Sequence, residues 1–381
     1  MRPDSPDLAD AAAAWRGAYL HLPFCARVCP YCDFAVVAGR DDLIDRYVGA
    51  VATEIARDEP FGPIDAVFVG GGTPSMVPPA AVGRLLEALV DRHGLAPGAE
   101  VTMEANPEDW TAAAAASFRD AGVTRISFGA QSTDPRVLTA LGRRHGPREV
   151  GRAVRLARDA DFASVSVDLI FGHPIETAAS WERTLGDVVD VGPDHVSTYA
   201  LTVERGTPLS RSVAAGAPAP DPDTQADRWE TARDVLGDAG YVRYEVSNHA
   251  KPGHPCRYNL GVWAGGSYVA YGLGAHGHRH GTRYRNVRSI DAYLGRIEAG
   301  ESPRAGSDRL DRDEAALDRA FAGLRRTAGV ALEAVIRDRL DSAGGRRLVE
   351  AGVVEIRDGR LVVSNPLLTD LVARELLTTD G

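Results

Sequence analysis

A single lysine, Lys251, occurs in this chain of 381 residues, so arginine carries nearly all of the basic charge. A phosphate-binding loop of the GxxxxGK[ST] type is therefore missing, and a Schiff-base enzyme would have to use Lys251, which sits in the loop-like "AKPGHP". Basic stripes are missing too. A formal net charge of -10 with 25% charged residues argues against a nucleic-acid partner and against adhesion to a membrane surface. Nowhere do eighteen apolar residues run together, and the first twenty residues lack a basic stretch followed by an apolar core, so a cytoplasmic protein is expected. Cysteine is scarce. There are four, three of them between Cys25 and Cys32, which is not the spread-out framework of a secreted disulfide protein.

What is present suits a folded protein of two or three domains, since 44% hydrophobic residues suffice for a sizeable core. From residue 17 to about 245, short β-rich runs alternate with helical patterns. Strands are expected at "AYLHLPF", 64–72, 100–107, 124–132, 164–172 and 195–202, and helices near 41–58, 79–93, 111–121, 135–141, 147–160 and 178–189. Six such units predict an α/β fold, a partial (β/α)6 barrel whose ligands bind at the carboxyl ends of the strands. The proline-rich 213–223 reads as a surface excursion. The expected division is a tail at 1–16, the barrel at 17–245, a connecting segment rich in Tyr, Gly and His at 246–300, and a carboxyl-terminal domain at 301–381. The last is predicted to be α+β and winged-helix-like, with a hairpin turning at Asp358-Gly359. Its acidic balance makes a cap over the active site a better reading than a DNA-binding element.

The cysteines fall in "CARVCPYC", a CxxxCxxC spacing on the first strand-to-helix loop. Structural zinc takes four ligands, so zinc would have to recruit Cys256 or a histidine such as His21. A cubane iron-sulfur cluster takes one thiolate per iron, and three thiolates leave one iron open to an outside ligand. Other strand ends carry "GGGTPS" (70–75), Glu104 and Asn106, Gln131, and Asp168. The glycines allow close approach of backbone to a ligand.

CxxxCxxC with an aromatic residue before its last cysteine, opening a β/α series, resembles the radical S-adenosylmethionine (SAM) superfamily. The resemblance implies a [4Fe-4S] cluster on Cys25, Cys29 and Cys32, with SAM chelating the open iron. Together with "MEANP" and "VDLIFG", the chain resembles the coproporphyrinogen-oxidase-like branch. That likeness implies SAM contacts at Tyr19, Gly71, Gly72, Thr73, Glu104, Gln131, Arg143 and Asp168, and puts His21 beside the cluster.

Within the branch, the oxidase usually carries a further cysteine two residues after the third, where this chain has Phe34. Only 24 residues precede Cys25, without the oxidase's long amino-terminal extension. Both features, and "YEVSNHAKPGHPCRYNLGVWAGGSYVAYGLGAH" (244–276), resemble the HemW-type haem chaperones. In their HNxxYW motif the histidine is implicated in haem binding. Here Tyr258 replaces that histidine and Val262 the tyrosine, while Asn259 and Trp263 are kept. Tyrosinate can bind ferric haem, so Tyr258 is one candidate haem ligand and His276 the other, with His249, His254, His278 and His280 as further substitutes. "HGHRH" (276–280) reads as a polar loop, and Trp263 and Tyr268 as packing residues. The resemblance implies a haem carrier that hands its cargo to acceptor proteins, respiratory ones among them, and meets membranes only through those acceptors. The alternatives are an oxygen-independent coproporphyrinogen III oxidase and a non-radical zinc or iron-sulfur protein.

Overall fold

The computed structural model describes residues 14–377, so the tail expected over 1–16 lies outside the described residues as far as residue 13. Strands β1 (Arg16–Leu22), β2 (Ile64–Gly71), β3 (Leu95–Ala105), β4 (Arg125–Gln131), β5 (Ser164–Phe171) and β6 (His195–Ala200) run parallel in sequential order. Successive side chains of a strand point to opposite faces. Along β5, Val165, Val167 and Leu169 enter the main hydrophobic core, while Ser164, Ser166 and Asp168 face the other way.

Helices cover the apolar face. They are α1 (Ile44–Arg57), α2 (Pro79–His93), α3 (Ala112–Asp120), α4 (Pro147–Asp159) and α5 (Ala178–Val191). Helix α1 buries Ile44, Tyr47, Val48, Val51 and Ile55 along one stripe, the spacing of an amphipathic helix. Helix α5 starts where the Thr177 side chain accepts the Ser180 N–H, and stops at Gly192, which takes the left-handed conformation. The strand order does not return from β6 to β1, so the sheet is the expected partial barrel rather than a closed one. A seventeen-residue helix, α6 (Pro222–Asp238), was not foreseen. It is capped by Asp221 inside the proline-rich stretch and buries Trp229, Ala232 and Leu236.

Residues 246–300, expected to connect two domains, instead supply strands to both edges of the same sheet. Strand β7 (Asn248–Ala250) pairs antiparallel with β6, whereas β8 (Ser267–Tyr271) pairs parallel with β1. Strands β9 (His276–Arg279), β10 (Thr282–Asn286) and β11 (Arg304–Arg309) extend that edge antiparallel. "HGHRH" is thus mostly strand, with His280 in the left-handed turn before Gly281. The hairpin is anchored because the Tyr284 hydroxyl accepts the Ala270 N–H at 2.9 Å. Since β11 belongs to this sheet, we place the start of the carboxyl-terminal unit after Arg309 rather than at 301. That unit is α+β as expected. It has its own core, including Leu324, Ile336, Leu348 and Val372, and a hairpin turning at Asp358 and Gly359, both with positive φ.

Glu54 of α1 ties the β8–β10 edge to the barrel. Its carboxylate accepts from the Gly272 N–H at 2.8 Å, Asn286 Nδ2 at 2.7 Å and the Tyr293 hydroxyl at 2.6 Å. Burial raises this carboxyl to about 7 against the pull of those donors. The ordinary value is 4.5, so the folded state holds the proton more tightly than the unfolded chain. The stability this confers is complete below about pH 4.5 and lost as pH rises through 7. Glu54→Gln, which keeps the group neutral, is therefore expected to gain on the wild type between about pH 5 and about 8, by up to about 3 kcal/mol. Urea midpoints of the two proteins measured across that range check this, and curves that stay parallel would refute it.

Candidate functional site

After β1 the chain passes through Pro23 and a two-residue strand, Phe24–Cys25, then turns so that the Cys32 N–H donates to the Cys29 carbonyl at 3.2 Å. The three thiols line one wall of a cavity of about 510 Å³ at the carboxyl ends of the strands. Around it also stand Gly71, Gly72 and Thr73 after β2, Glu104 in β3, Gln131 at the end of β4, Arg143, and Asp168 in β5. Seven of the eight residues expected around SAM are thereby brought together with the cysteines. Tyr19 is not among the walls. It lies in β1, where its hydroxyl bonds His21 Nδ1 at 3.1 Å, and it faces a second cavity.

Each cysteine sulfur has a donor. Thr73 Oγ1 donates to Cys25 Sγ at 3.7 Å, Arg143 Nη1 to Cys29 Sγ at 3.9 Å, and the Phe34 N–H to Cys32. The first two donors are linked. Asn106 Nδ2 donates to Thr73 Oγ1 at 3.3 Å, and its Oδ1 accepts from Arg143 Nη2 at 2.6 Å. Asn106 is thus a hinge of the site that residue-by-residue reading left without a role, although it stands at a strand end. Burial pushes the Cys25 thiol up to about 11 and raises Cys32 as well. Donors aimed at sulfur favour the thiolate, the form a metal takes. Three sulfurs so arranged fit a thiolate-held [4Fe-4S] cluster.

They do not extend to zinc. Cys256 is fully buried in a separate cluster with Trp15, Ala66 and Tyr258. His21 has no free nitrogen, because Nε2 lies 2.8 Å from the Ala35 carbonyl. A carbonyl only accepts, so Nε2 carries the proton and Nδ1 accepts from Tyr19. Burial holds this imidazole neutral, down to about 4. Among the described residues no group of three or more His, Cys, Asp or Glu side chains is drawn together to hold a single ion.

The rest of the cavity suits a small cationic ligand. Glu104 is raised to about 7 by burial and by the charge of Asp168, and its Oε2 accepts the Gly71 N–H at 3.2 Å. Burial also raises Asp168, while hydroxyls of Ser197 at 2.6 Å, Ser127 at 2.8 Å and Ser166 at 3.4 Å oppose it. The N–H groups of Gly72 and Thr73 are spent on the carbonyls of Leu22 and Phe24. The turn can thus offer a ligand carbonyl oxygens, the right partner for an ammonium group. A side chain at Gly72 would put its Cβ 2.6 Å from the Phe24 carbonyl oxygen, so only glycine fits. Gln131 has a positive φ of 66° where the β4–β5 register shifts, and it lines the cavity. Tyr199 also lines the cavity and was missed, though it too stands at a strand end.

The second cavity, of about 350 Å³, lies across the strip Asp33–Phe34, which lines both. It brings together Tyr258 and His276 with Tyr268, Val262 and Arg288, and sets them against Tyr19 and His21 from the other end of the chain. Tyr268 packs as expected, edge-on to Tyr258 with ring centroids 6.1 Å apart, and also lines the cavity. Tyr258 packs on Phe68 with ring centroids 5.3 Å apart, and burial keeps its hydroxyl firmly protonated. His276 is exposed, and partial desolvation of its ring with the charges of Arg285 and Arg288 lowers its pKa, which favours the neutral imidazole. Of the other histidines weighed, His249 is buried at the opposite edge of the sheet, and His254, His278 and His280 line neither cavity.

The sequence profile of the Radical SAM superfamily matches residues 19–188. The heme chaperone HemW of Mycobacterium tuberculosis is 38% identical over 98% of this chain and 97% of its own length. The heme chaperone HemW of Synechocystis is 33% identical over 95% of this chain and 92% of its own. In structure the chain is similar to coproporphyrinogen III oxidase (HemN) from Escherichia coli, with a TM-score of 0.82, 20% identity, and coverage of 98% of this chain and 93% of that one. That likeness speaks to the fold. With relatives along nearly its whole length and the three-cysteine loop at the mouth of its partial barrel, the chain belongs to the HemW haem chaperone family of the radical SAM superfamily.

Proposed function

We propose that this protein is a haem chaperone that holds a [4Fe-4S] cluster on Cys25, Cys29 and Cys32, SAM in the larger cavity and haem in the smaller one, and passes haem to acceptor proteins. The observation that carries this reading is the pair of cavities divided by Asp33–Phe34, one lined by three thiols and the other by an aromatic wall with a histidine. Bound, the cluster supplies an iron open to SAM and a source of electrons beside it.

The chain's own groups do the rest. Glu104 and Asp168 meet hydroxyl and ammonium groups of SAM, the Gly71–Thr73 turn accepts from its amino group, and Gln131 and Arg143 line the rest of its cavity. In the second cavity His276 is the better iron ligand of the two candidates, because a neutral imidazole binds without first losing a proton. Tyr258 would have to ionise inside an apolar cluster, and serves instead as a flat wall for the macrocycle. Acceptors among respiratory haemoproteins, and membrane contact only through them, belong to this proposal. Among the described residues no helix is long and apolar enough to cross a membrane. Phe34, exposed between the two cavities where the oxidase would carry a thiol, favours the chaperone over coproporphyrinogen oxidation.

Two outcomes follow. After anaerobic reconstitution with iron and sulfide, Cys29→Ser is expected to lose the visible absorption of the cluster and its labile sulfide, whereas Cys256→Ser keeps both; equal loss in the two would favour a site that includes Cys256. In haem titrations His276→Ala should weaken binding by roughly tenfold or more and shift the Soret band, with Tyr258→Phe close to wild type. Unchanged affinity in both removes these ligand candidates, and conversion of coproporphyrinogen III to protoporphyrinogen by the reconstituted protein with SAM would overturn the chaperone reading.

A further inference from the structure

The wall between the two cavities is held from the haem side. His21 Nε2 donates to the Ala35 carbonyl at 2.8 Å, and Arg288 Nη2 donates to the Asp33 carbonyl at 2.6 Å. Asp33 directly follows Cys32, and both His21 and Arg288 line the second cavity. Arg288 is the one guanidinium among that cavity's walls, and among the described residues its remaining N–H groups have no protein partner. Its backbone is anchored while its side chain is exposed, because neighbouring Val287 is bonded on both sides, donating to the Pro303 carbonyl at 3.0 Å and accepting the Gly274 N–H at 2.8 Å. A guanidinium offers five donors in a planar fork, a match for a carboxylate and a poor use for a single carbonyl.

We propose that Arg288 recognises a carboxylate at the edge of the planar ligand in the second cavity, and that in turning to it Arg288 loosens its hold on the Asp33 carbonyl, so that occupancy is transmitted to the loop carrying Cys32. The proposal rests on the reading of this cavity as the haem site, haem being a flat macrocycle with two carboxylates. A ligand carboxylate carries a full charge and two acceptor oxygens, whereas the Asp33 carbonyl is a single neutral acceptor, so the exchange favours the ligand. Binding energy shared in this way is reciprocal: whatever loosens or tightens the strip from the cysteine side alters affinity in the second cavity by the same factor.

The test is titration of the full-length protein with haem and with haem dimethyl ester, which lacks free carboxylates, for wild type, Arg288→Gln, Arg288→Lys and His276→Ala. Wild type is expected to prefer the diacid by about tenfold, the scale of one charge-assisted pair. In Arg288→Gln the diacid should fall to the level of the ester while ester affinity stays put, and Arg288→Lys should be intermediate because it keeps charge without the fork. Hydrogen exchange of the amides at 33–35 should change on haem binding in the wild type and not in Arg288→Gln. An unchanged diacid-to-ester ratio in Arg288→Gln, with haem binding still weakened by His276→Ala, overturns the Arg288 assignment and leaves the cavity reading standing. No effect of either substitution overturns both.

Discussion

Glu104, Ser127, Ser166 and His195 face one another across four neighbouring strands because those strands run parallel and in register. The next row sets Gly129, Asp168, Ser197 and Asn248 side by side. Parallel strands joined by helices must all end on the same side, so the loops after β1, β2, β3 and β4 have nowhere to go but the rim of one cavity. The cysteine loop, the glycine turn and the two buried carboxylates meet there as a consequence of that register.

Placing two acids in the barrel interior is costly unless they are solvated by the protein. The three serines around Asp168 do this, and the Gly71 N–H does less for Glu104, which is why burial wins at both and leaves them reluctant to ionise. The thiols stand in the same position. Their donors offset burial without overcoming it at Cys25 and Cys32. A site of this kind is incomplete by itself. It is arranged for groups that bring positive charge, and it gains the most when they arrive.

The strip from Cys32 to Ala35 is the mechanical link of the molecule. It carries a thiol, divides two cavities, and is gripped by His21 and Arg288, which line the second of them. The tautomer of His21 matters here, since only the Nε2-protonated ring can hold the Ala35 carbonyl while accepting from Tyr19. Through that bond Tyr19, which lines the second cavity, fixes the tautomer of His21.

The six strand-helix units, the place of each carboxyl-end residue and the cysteine spacing were legible in the amino-acid order, because amphipathic periodicity, glycine turns and helix caps are local properties that each segment carries with it. Helix α6 was not, since it begins inside a proline-rich run and buries only three side chains. Strand β11 could not be, because all six of its residues are exposed and it is a strand only by pairing with β10. The same holds for residues 246–300, whose strands join opposite edges of one sheet, a matter of long-range pairing that no local pattern encodes. Sequence alone determined the three-cysteine spacing and which residues stand at the strand ends. Tertiary structure decided that Tyr19 and His21 of β1 share a cavity with Tyr258 and His276, and that Cys256 is buried in a cluster apart from the cysteine loop, because both depend on β8, more than two hundred residues away in the chain, pairing beside β1.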